Sequence, residues 1–310
     1  MPEIPDVDVY CEAIATRVVG HPLAGVRLGS PFVLRTFAPP TSAFVGKKVL
    51  AVFRMGKRIV LSFEGDVFAV IHLMIAGRFR WGPSGMKLPG RLGLAAFDFA
   101  GGTLLLTEAG TKKRASIHLV LGEAAMRALH AGGIELDACD DATFFAALTR
   151  ENHTLKRALT DPRILSGIGN AYSDEILWEA KLSPVKLTSR LSAEESRELF
   201  AAARKTLTRF TEILRAEVVK GFPAKVTAFR PEMAVHGRYG EPCRRCGAKV
   251  QRIAYASNET NYCVTCQTGG KLLADRGLSR LLREDWPKSL EELEEMKSVR
   301  ATAARTSRAR

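Results

Sequence analysis

The spacing of apolar residues changes three times along this chain, and each change predicts a change of structure. Over residues 6–19, Val7, Cys11, Ile14 and Val18 recur at helical spacing, with Asp6 placed to cap the segment and Gly20 and Pro22 to end it. From about 26 to 121 that period disappears. Short apolar or alternating segments (KVLAVFRM, RIVLSFE, VFAVIHLMI, LAAFDFA, GTLLLTE, SIHLVL) follow one another between glycine, proline and charge, which predicts an all-β sandwich or flattened barrel. From Asp140 the helical spacing returns. Phe144, Leu148, Leu155, Leu159 and Ile164 share one side of segments broken near Pro162, and Ile176, Leu177 and Ala180 carry a helix that stops before Pro184. Ser192 and Glu195 stand at capping-box spacing and open a longer helix to about 219, striped by Leu199, Ala203, Leu207, Phe210 and Leu214.

Beyond these helices the cysteines replace periodicity as the main signal. Cys243-Arg244-Arg245-Cys246, sixteen residues, and then Cys263-Val264-Thr265-Cys266 place two thiolate pairs where a two-hairpin ribbon can close a tetrahedral zinc site. Four sulfurs leave no open position, so the expected Zn2+ is structural, one per chain. A ribbon this small draws its stability from the metal, of order 10 to 16 kcal/mol in comparable peptides. Cys11 and Cys139 stand alone. In a reducing compartment this distribution reads as metal binding rather than disulfides.

Composition adds one thing. A 310-residue chain that is 46% hydrophobic and 25% charged is ordinary for two or three globular domains, but 46 Lys and Arg against 33 Asp and Glu leave +13 and an isoelectric point near 9.7. Such an excess predicts a polyanionic partner. No apolar run of membrane length and no signal segment is seen, so the expectation is a soluble, cytoplasmic, nucleoid-associated protein with no membrane partner. The last 40 residues contain an acidic patch around 291–295, expected to be helical. A basic end over 297–310, expected to be disordered, would raise nonspecific nucleic-acid affinity.

Candidate chemistry begins at Met1-Pro2-Glu3. Trimming of Met1 would present the secondary amine of Pro2, and a terminal amine titrates at roughly 7.7 to 8.0 against about 10.4 for lysine. Attack by a secondary amine on an aldehyde-level sugar carbon gives an iminium ion, an electron sink, and Glu3 can pass a proton to a leaving or ring oxygen. Lys57 lies in a turn between two predicted strands, where lysines are ordinarily solvated. His72 closes a very apolar strand and is expected to be buried and hydrogen-bonded. Lys112, Lys113 and Arg114 put three adjacent cations at a strand start, as a phosphate contact would require. In Ser166-Gly167-Ile168-Gly169-Asn170 two glycines permit a tight turn, and Asn170 begins a helix whose free amides favour an anion.

Four of these motifs, in order from residue 1 to about 267, resemble the formamidopyrimidine and endonuclease VIII family of DNA glycosylases. They are the MPEIPD start, Gly56-Lys57, the run ILSGIGNAYSDEILWEAKLSP, and GRYGEPCRRC with NYCVTCQ. The resemblance implies an α+β multidomain fold. Its expected parts are a catalytic β-sandwich with an N-terminal helix at 1–130, a helix-two-turn-helix domain at 131–235 and a zinc ribbon at 236–270, with a basic, disordered tail expected at 271–310 outside the match. It implies a monomer that binds damaged DNA between the first two parts and flips the damaged base out. Pro2 would attack the sugar, Glu3 would protonate it, and Lys57 would hold a phosphate and assist proton transfer. The strand would then be cut by β-elimination, with Asn170 and Lys156 fixing the backbone from the helical side.

The departures from the family carry information too. Ile75 stands where the family commonly has a methionine, and 108–113 where it has an arginine and a phenylalanine that fill the gap left by the flipped base. Asn258 replaces an arginine that grips the phosphates around the lesion, a charge-assisted contact worth about 1.5 to 3 kcal/mol. Asp6 replaces a glutamate. The leading expectation is a bifunctional glycosylase and abasic-site lyase that stops mainly at the β-elimination product. The alternatives are a catalytically altered protein that binds damaged DNA, or an enzyme restricted to abasic or single-stranded substrates, where less stacking must be broken.

Overall fold

The structure, a computed structural model, describes residues 1–218, 221–223, 226–227, 229–255, 258–274, 282, 286–296 and 298–299. The chain forms two compact units. One comprises Met1–Cys139, Thr160–Gly169 and Leu207–Ala228, and the other Asp140–Leu159, Asn170–Thr206 and Phe229–Arg310.

The first unit opens with helix α1, Ile4–Val18, which starts at Ile4 because Glu3 rather than Asp6 occupies the cap. The Glu3 N–H donates to Asp6 Oδ2 at 3.0 Å while the Glu3 side chain accepts from the Asp6 amide, so Asp6 is the reciprocal half of a capping box. Pro5 lies in the first turn, where a missing N–H costs nothing.

Behind the helix lie two antiparallel four-stranded sheets. One contains β1 (Gly25–Leu28), β6 (Gly93–Phe99), β7 (Gly102–Glu108) and β5 (Gly77–Gly82) in that order, and the other β2 (Val49–Met55), β3 (Arg58–Phe63), β4 (Val67–His72) and β8 (Ser116–Leu121). Period-two alternation sends Ile59, Leu61, Ile71 and Ile117 from one sheet and Phe79, Phe97, Leu104 and Leu106 from the other into a single core, which Val7, Tyr10 and Ile14 of α1 complete. Each such burial is worth about 1.5 to 3 kcal/mol. The other face of the second sheet carries a smaller cluster of Met55, Val60, Phe68, Val70 and Val120, covered by Met126 of α2, Glu123–Arg127.

The second unit is helical, then ribbon-like. Its helices are α3 (Asp141–Thr149), α4 (Leu155–Thr160), α5 (Asn170–Glu179) and the first part of α6 (Ala193–Glu217), whose residues from Leu207 on belong to the first unit. Asp140 caps α3 by accepting from the Thr143 amide at 2.8 Å. The Ser192 and Glu195 box opens α6 with both reciprocal bonds present, and Leu199, Ala203, Leu207, Phe210 and Leu214 of its stripe are buried. Strands β9 (Val250–Ala254) and β10 (Glu259–Cys263) then pair antiparallel before the single turn of α7, Val264–Thr268.

The chain beyond this ribbon corrects the expectation of a disordered tail from 271: its described residues up to 296 fold back onto the ribbon, because Leu273 and Leu290 have an apolar surface to cover there. Leu272 N–H donates to Lys288 O at 3.0 Å, and Leu273 N–H to the Tyr262 hydroxyl at 2.8 Å. Residues 290–296 are helical, Leu290 and Leu273 pack against the cluster of Ile253, Tyr262 and Val264, and Glu294 pairs with Lys249 at 2.7 Å. The five cations of the expected basic end, from Lys297 to Arg310, lie outside the described residues. Among the described residues no helix is long and apolar enough to cross a membrane.

Candidate functional site

The first unit gathers its amino end, Glu3 and Lys57 around one backbone position. Gly56 and Lys57 are the two-residue loop between β2 and β3, with Met55 paired to Arg58 and Gly56 at φ 59°, a left-handed value that glycine takes without strain. The 166–169 turn comes against the start of α1: Ile4 N–H donates to Gly167 O at 3.2 Å, and Gly169 N–H donates to Glu3 Oε2 at 2.6 Å. A Cβ on Gly169 would lie 2.6 Å from Glu3 Cδ and 2.8 Å from Lys57 Nζ, so carboxylate and ammonium both close over this residue. Burial holds the terminal amine below its ordinary pKa. Arg78 and Lys57 push in the same direction and Glu3 and Asp6 oppose them, which identifies the charges around it. Lys57 is likewise lowered by burial, with Glu3 opposing.

An ion-pair network steadies the Gly56 turn. Arg54, its side chain 9% exposed, bonds Asp8 at 2.7 Å and also meets Glu135 and Asp137. Glu135 Oε1 accepts the Gly56 N–H at 2.7 Å and lies 3.2 Å from His130 Nε2, which is in turn 3.0 Å from Ser166 Oγ. Burial works against the charge of Glu135, yet Arg54 and the hydrogen bonds from Ser166 and Gly56 hold its carboxyl below the usual range. One carboxylate thus ties the Lys57 loop to the residue that begins the 166–169 turn.

Two loops carry the departures read from the sequence. At 73–76, Met74 takes φ 52° and Ile75 is 60% exposed. Over 109–115 the buried Glu108 folds the chain onto itself by accepting from the Arg114 and Ala115 amides at 2.8 and 3.1 Å, and Lys113 Nζ bonds the Glu108 carbonyl. Lys113 is therefore engaged locally, whereas the Lys112 and Arg114 side chains are exposed and make no ion pair among the described residues. All three cations precede β8 rather than starting it. His72 ends β4 as expected, but it is only partly buried and its side chain makes no hydrogen bond among the described residues; its register neighbours are Arg58 and Ser116.

The second unit places Asn170 and Lys156 together. Lys156 Nζ donates to Asn170 O at 2.7 Å and to the buried Asp174 at 2.6 Å, and Asp174 lies 2.8 Å from His236 Nδ1. The Asn170 amide donates to Glu259 O on β10 at 3.0 Å. Glu175, 3% exposed, accepts three consecutive amides, those of Ala234, Val235 and His236. Asn258, in the β9–β10 hairpin, is exposed, and its carbonyl accepts from Tyr255 N–H at 2.8 Å.

The four ribbon cysteines converge. Their sulfur atoms all lie within 4.8 Å of one another, and Zn–S bonds of about 2.3 Å in a tetrahedron require sulfurs about 3.8 Å apart. Cys243 Sγ accepts from Trp178 Nε1 at 3.3 Å and from the Arg245 amide at 3.4 Å, and Cys263 Sγ from the Cys266 amide at 3.4 Å. Such donors favour thiolates, so the residues fit one structural zinc held by Cys243, Cys246, Cys263 and Cys266.

Sequence reading missed the Arg54 network, Asp174 and Glu175. Adjacent acids on an amphipathic helix ordinarily face water. The one available signal was that Ile176 and Leu177 follow them directly, which leaves α5 without a clean polar face.

Three family models match the chain: the formamidopyrimidine-DNA glycosylase N-terminal domain at residues 1–121, the formamidopyrimidine-DNA glycosylase H2TH domain at 135–218, and the zinc finger found in FPG and IleRS at 240–269. The formamidopyrimidine-DNA glycosylase of Heliobacterium modesticaldum is 31% identical over a 284-residue alignment that covers 86% of this chain and all of that protein. A formamidopyrimidine-DNA glycosylase-like protein of Mycobacterium tuberculosis, itself uncharacterised, is 39% identical over 157 residues, 51% of this chain and 96% of its own length. Among solved structures, Lactococcus lactis Fpg in complex with DNA containing an abasic site superposes with a TM-score of 0.76 at 23% identity, covering 86% of this chain and 99% of that one.

Proposed function

The chain belongs to the formamidopyrimidine-DNA glycosylase family, and from that membership we infer a base-excision repair glycosylase that acts on damaged DNA and also cuts the abasic strand. The observation that carries the finer part is the convergence of the amino end, Glu3 and Lys57 over Gly169 within one compact unit. In this reading Met1 is removed and the Pro2 nitrogen bonds to the deoxyribose carbon as the base departs with the electrons of the glycosidic bond, and the proton that the now cationic nitrogen sheds goes to the departing base. Glu3 delivers a proton to the ring oxygen, and the sugar opens to an iminium ion. That ion accepts the electrons released when the neighbouring carbon loses a proton, and the 3′ phosphate leaves. Lys57 holds a phosphate beside the sugar. Burial lowers the Met1 amine at this place, and Pro2, itself buried, would present its amine in the same water-poor setting once Met1 is gone. The zinc supplies folding energy to the ribbon and takes no part in bond making.

Borohydride reduction on abasic duplex DNA tests the mechanism. We expect a covalent adduct on Pro2 by mass spectrometry. An adduct on another residue, or trapping unaffected by Pro2→Gly, sinks it. Asn258 supplies no cation at the ribbon hairpin, so β-elimination product should dominate, and Asn258→Arg should raise the share of doubly eliminated product.

The Glu108-anchored loop favours a narrower substrate range. Without the family's arginine and phenylalanine to fill the stack, abasic sites and weakly stacked lesions are the best substrates in this reading. Cleavage faster on fully stacked oxidised-purine duplex than on bubble or abasic DNA would refute it.

A further inference from the structure

Away from the Gly169 cluster, the outer face of the second sheet bears another group of cations and imidazoles. Arg58, His72 and Ser116 are register neighbours across β3, β4 and β8, and His118 lies one step further along β8, opposite Val70. Ile59, Ile71 and Ile117 point into the core, so alternation puts Arg58, His72 and His118 together on the opposite face. Arg35 joins from the far side of β8, where Leu34 bridges Ile117 and Arg35 N–H donates to Ile117 O at 2.9 Å.

This group contains no carboxylate. His72 is lowered to about 4 by burial and by Arg58, Lys57 and His118, and His118 is lowered by burial, Arg58 and Arg35. Burial alone lowers Arg58. Arg58 Nε and His118 Nδ1 are enclosed without a hydrogen-bond partner. Arg54, enclosed in the same unit, is by contrast matched by three carboxylates. Arg58 is half-buried and has no ion-pair partner among the described residues, so its charge is left uncompensated, and an anion arriving from solution at its exposed guanidinium edge would offset that cost.

We propose that Arg58 and His118, with Arg35 at the outer end, form a phosphate-binding track that holds the DNA backbone beyond the phosphate assigned to Lys57. The proposal rests on the DNA-binding reading above. Strands lie about 4.8 Å apart, so the span from β3 to the Arg35 segment is roughly 14 Å. One duplex strand advances about 3.4 Å per nucleotide along the helix axis, so a track laid along that axis spans about four nucleotides. A neutral imidazole still donates one N–H to a phosphate oxygen, so His118 contributes a hydrogen bond and the arginines contribute the charge.

Binding of a fluorescent duplex carrying a tetrahydrofuran abasic analogue, measured between about 50 and 200 mM salt, tests it. Wild-type protein is measured first, and a salt-independent or absent affinity there defeats the DNA-binding reading itself. With a steep wild-type slope in hand, Arg58→Gln and Arg35→Gln should each flatten the plot of log K against log[salt] by about 0.9, and the double variant by about 1.8. Arg58→Lys should keep the wild-type slope, and His118→Gln should weaken binding without changing it. Arg35 is exposed and its side chain pairs with nothing among the described residues, so its variant reports even if Arg58→Gln fails to fold. Unchanged slopes in folded Arg35→Gln and Arg58→Gln overturn the proposal.

Discussion

Gly169→Ala is the most informative single change, because it separates the cost of folding from the cost of chemistry. Gly169 is absent from the left-handed φ positions, so alanine meets no backbone penalty there. Its methyl group would instead lie 2.6 Å from Glu3 Cδ, 2.7 Å from Glu3 Oε1 and 2.8 Å from Lys57 Nζ. Lys57 can swing its chain end away at little cost. Glu3 can relieve the clash only by giving up the Gly169 N–H, a charge-assisted bond of 2.6 Å worth about 1.5 to 3 kcal/mol. Urea denaturation should therefore show a loss of that size. Both relaxations displace the two groups assigned to proton delivery and phosphate holding, and a displacement near 1 Å costs on the order of 10²-fold in rate. Single-turnover borohydride trapping at saturating enzyme should fall at least that far. Gly101→Ala, where a Cβ meets nothing within 4 Å, is the control and should match wild type in both assays. A folded Gly169→Ala protein that traps within about three-fold of wild type would refute the reasoning.

Three further outcomes follow from the geometry. The unfolded chain protonates His72 near 6.5 whereas the folded chain, by burial and the neighbouring Arg58, Lys57 and His118, does so only at about 4. The unfolded state thus holds more protons between those values, and stability should fall by up to about 3 kcal/mol as pH drops through that window. His72→Gln should flatten this part of a urea stability profile, and an unchanged profile would count against it. Removal of zinc by a strong chelator should release one equivalent per chain and unfold the ribbon, read by metal-sensitive dye and by lost Tyr262 amide protection. Retained protection in metal-free protein would contradict this. Arg54→Ala strands Asp8 and Glu135 with uncompensated charge, and should cost about 3 to 5 kcal/mol in denaturant unfolding. A loss below about 1 kcal/mol would show the network to be dispensable.

The sequence made some of this legible because the signals were local. Strand alternation, the Ser192 to Glu195 box and the paired cysteines each depend on residues a few positions apart, and each appears in the structure as its spacing requires. The first cap was misplaced for an equally local reason: Asp6 is a good capping residue, but Glu3 with Asp6 satisfies two amides where Asp6 alone would satisfy one. What stayed hidden was long-range. Nothing near Arg54 announces Glu135, 81 positions away, and nothing near Gly169 announces Glu3, 166 positions away. The same limit applies to Lys113, whose charge alone pointed outward although the nearest oxygen was the Glu108 carbonyl.

The returning segment after the ribbon has a practical consequence for protein engineering. The zinc-finger match stops at residue 269, an inviting place to end a shortened gene. A product cut there would lose the Leu273 amide that satisfies the Tyr262 hydroxyl, together with the Leu273 and Leu290 side chains that shield Ile253 and Val264. The truncated surface would be greasy and prone to self-association, so a boundary taken from homology alone cuts through the inside of a folded body.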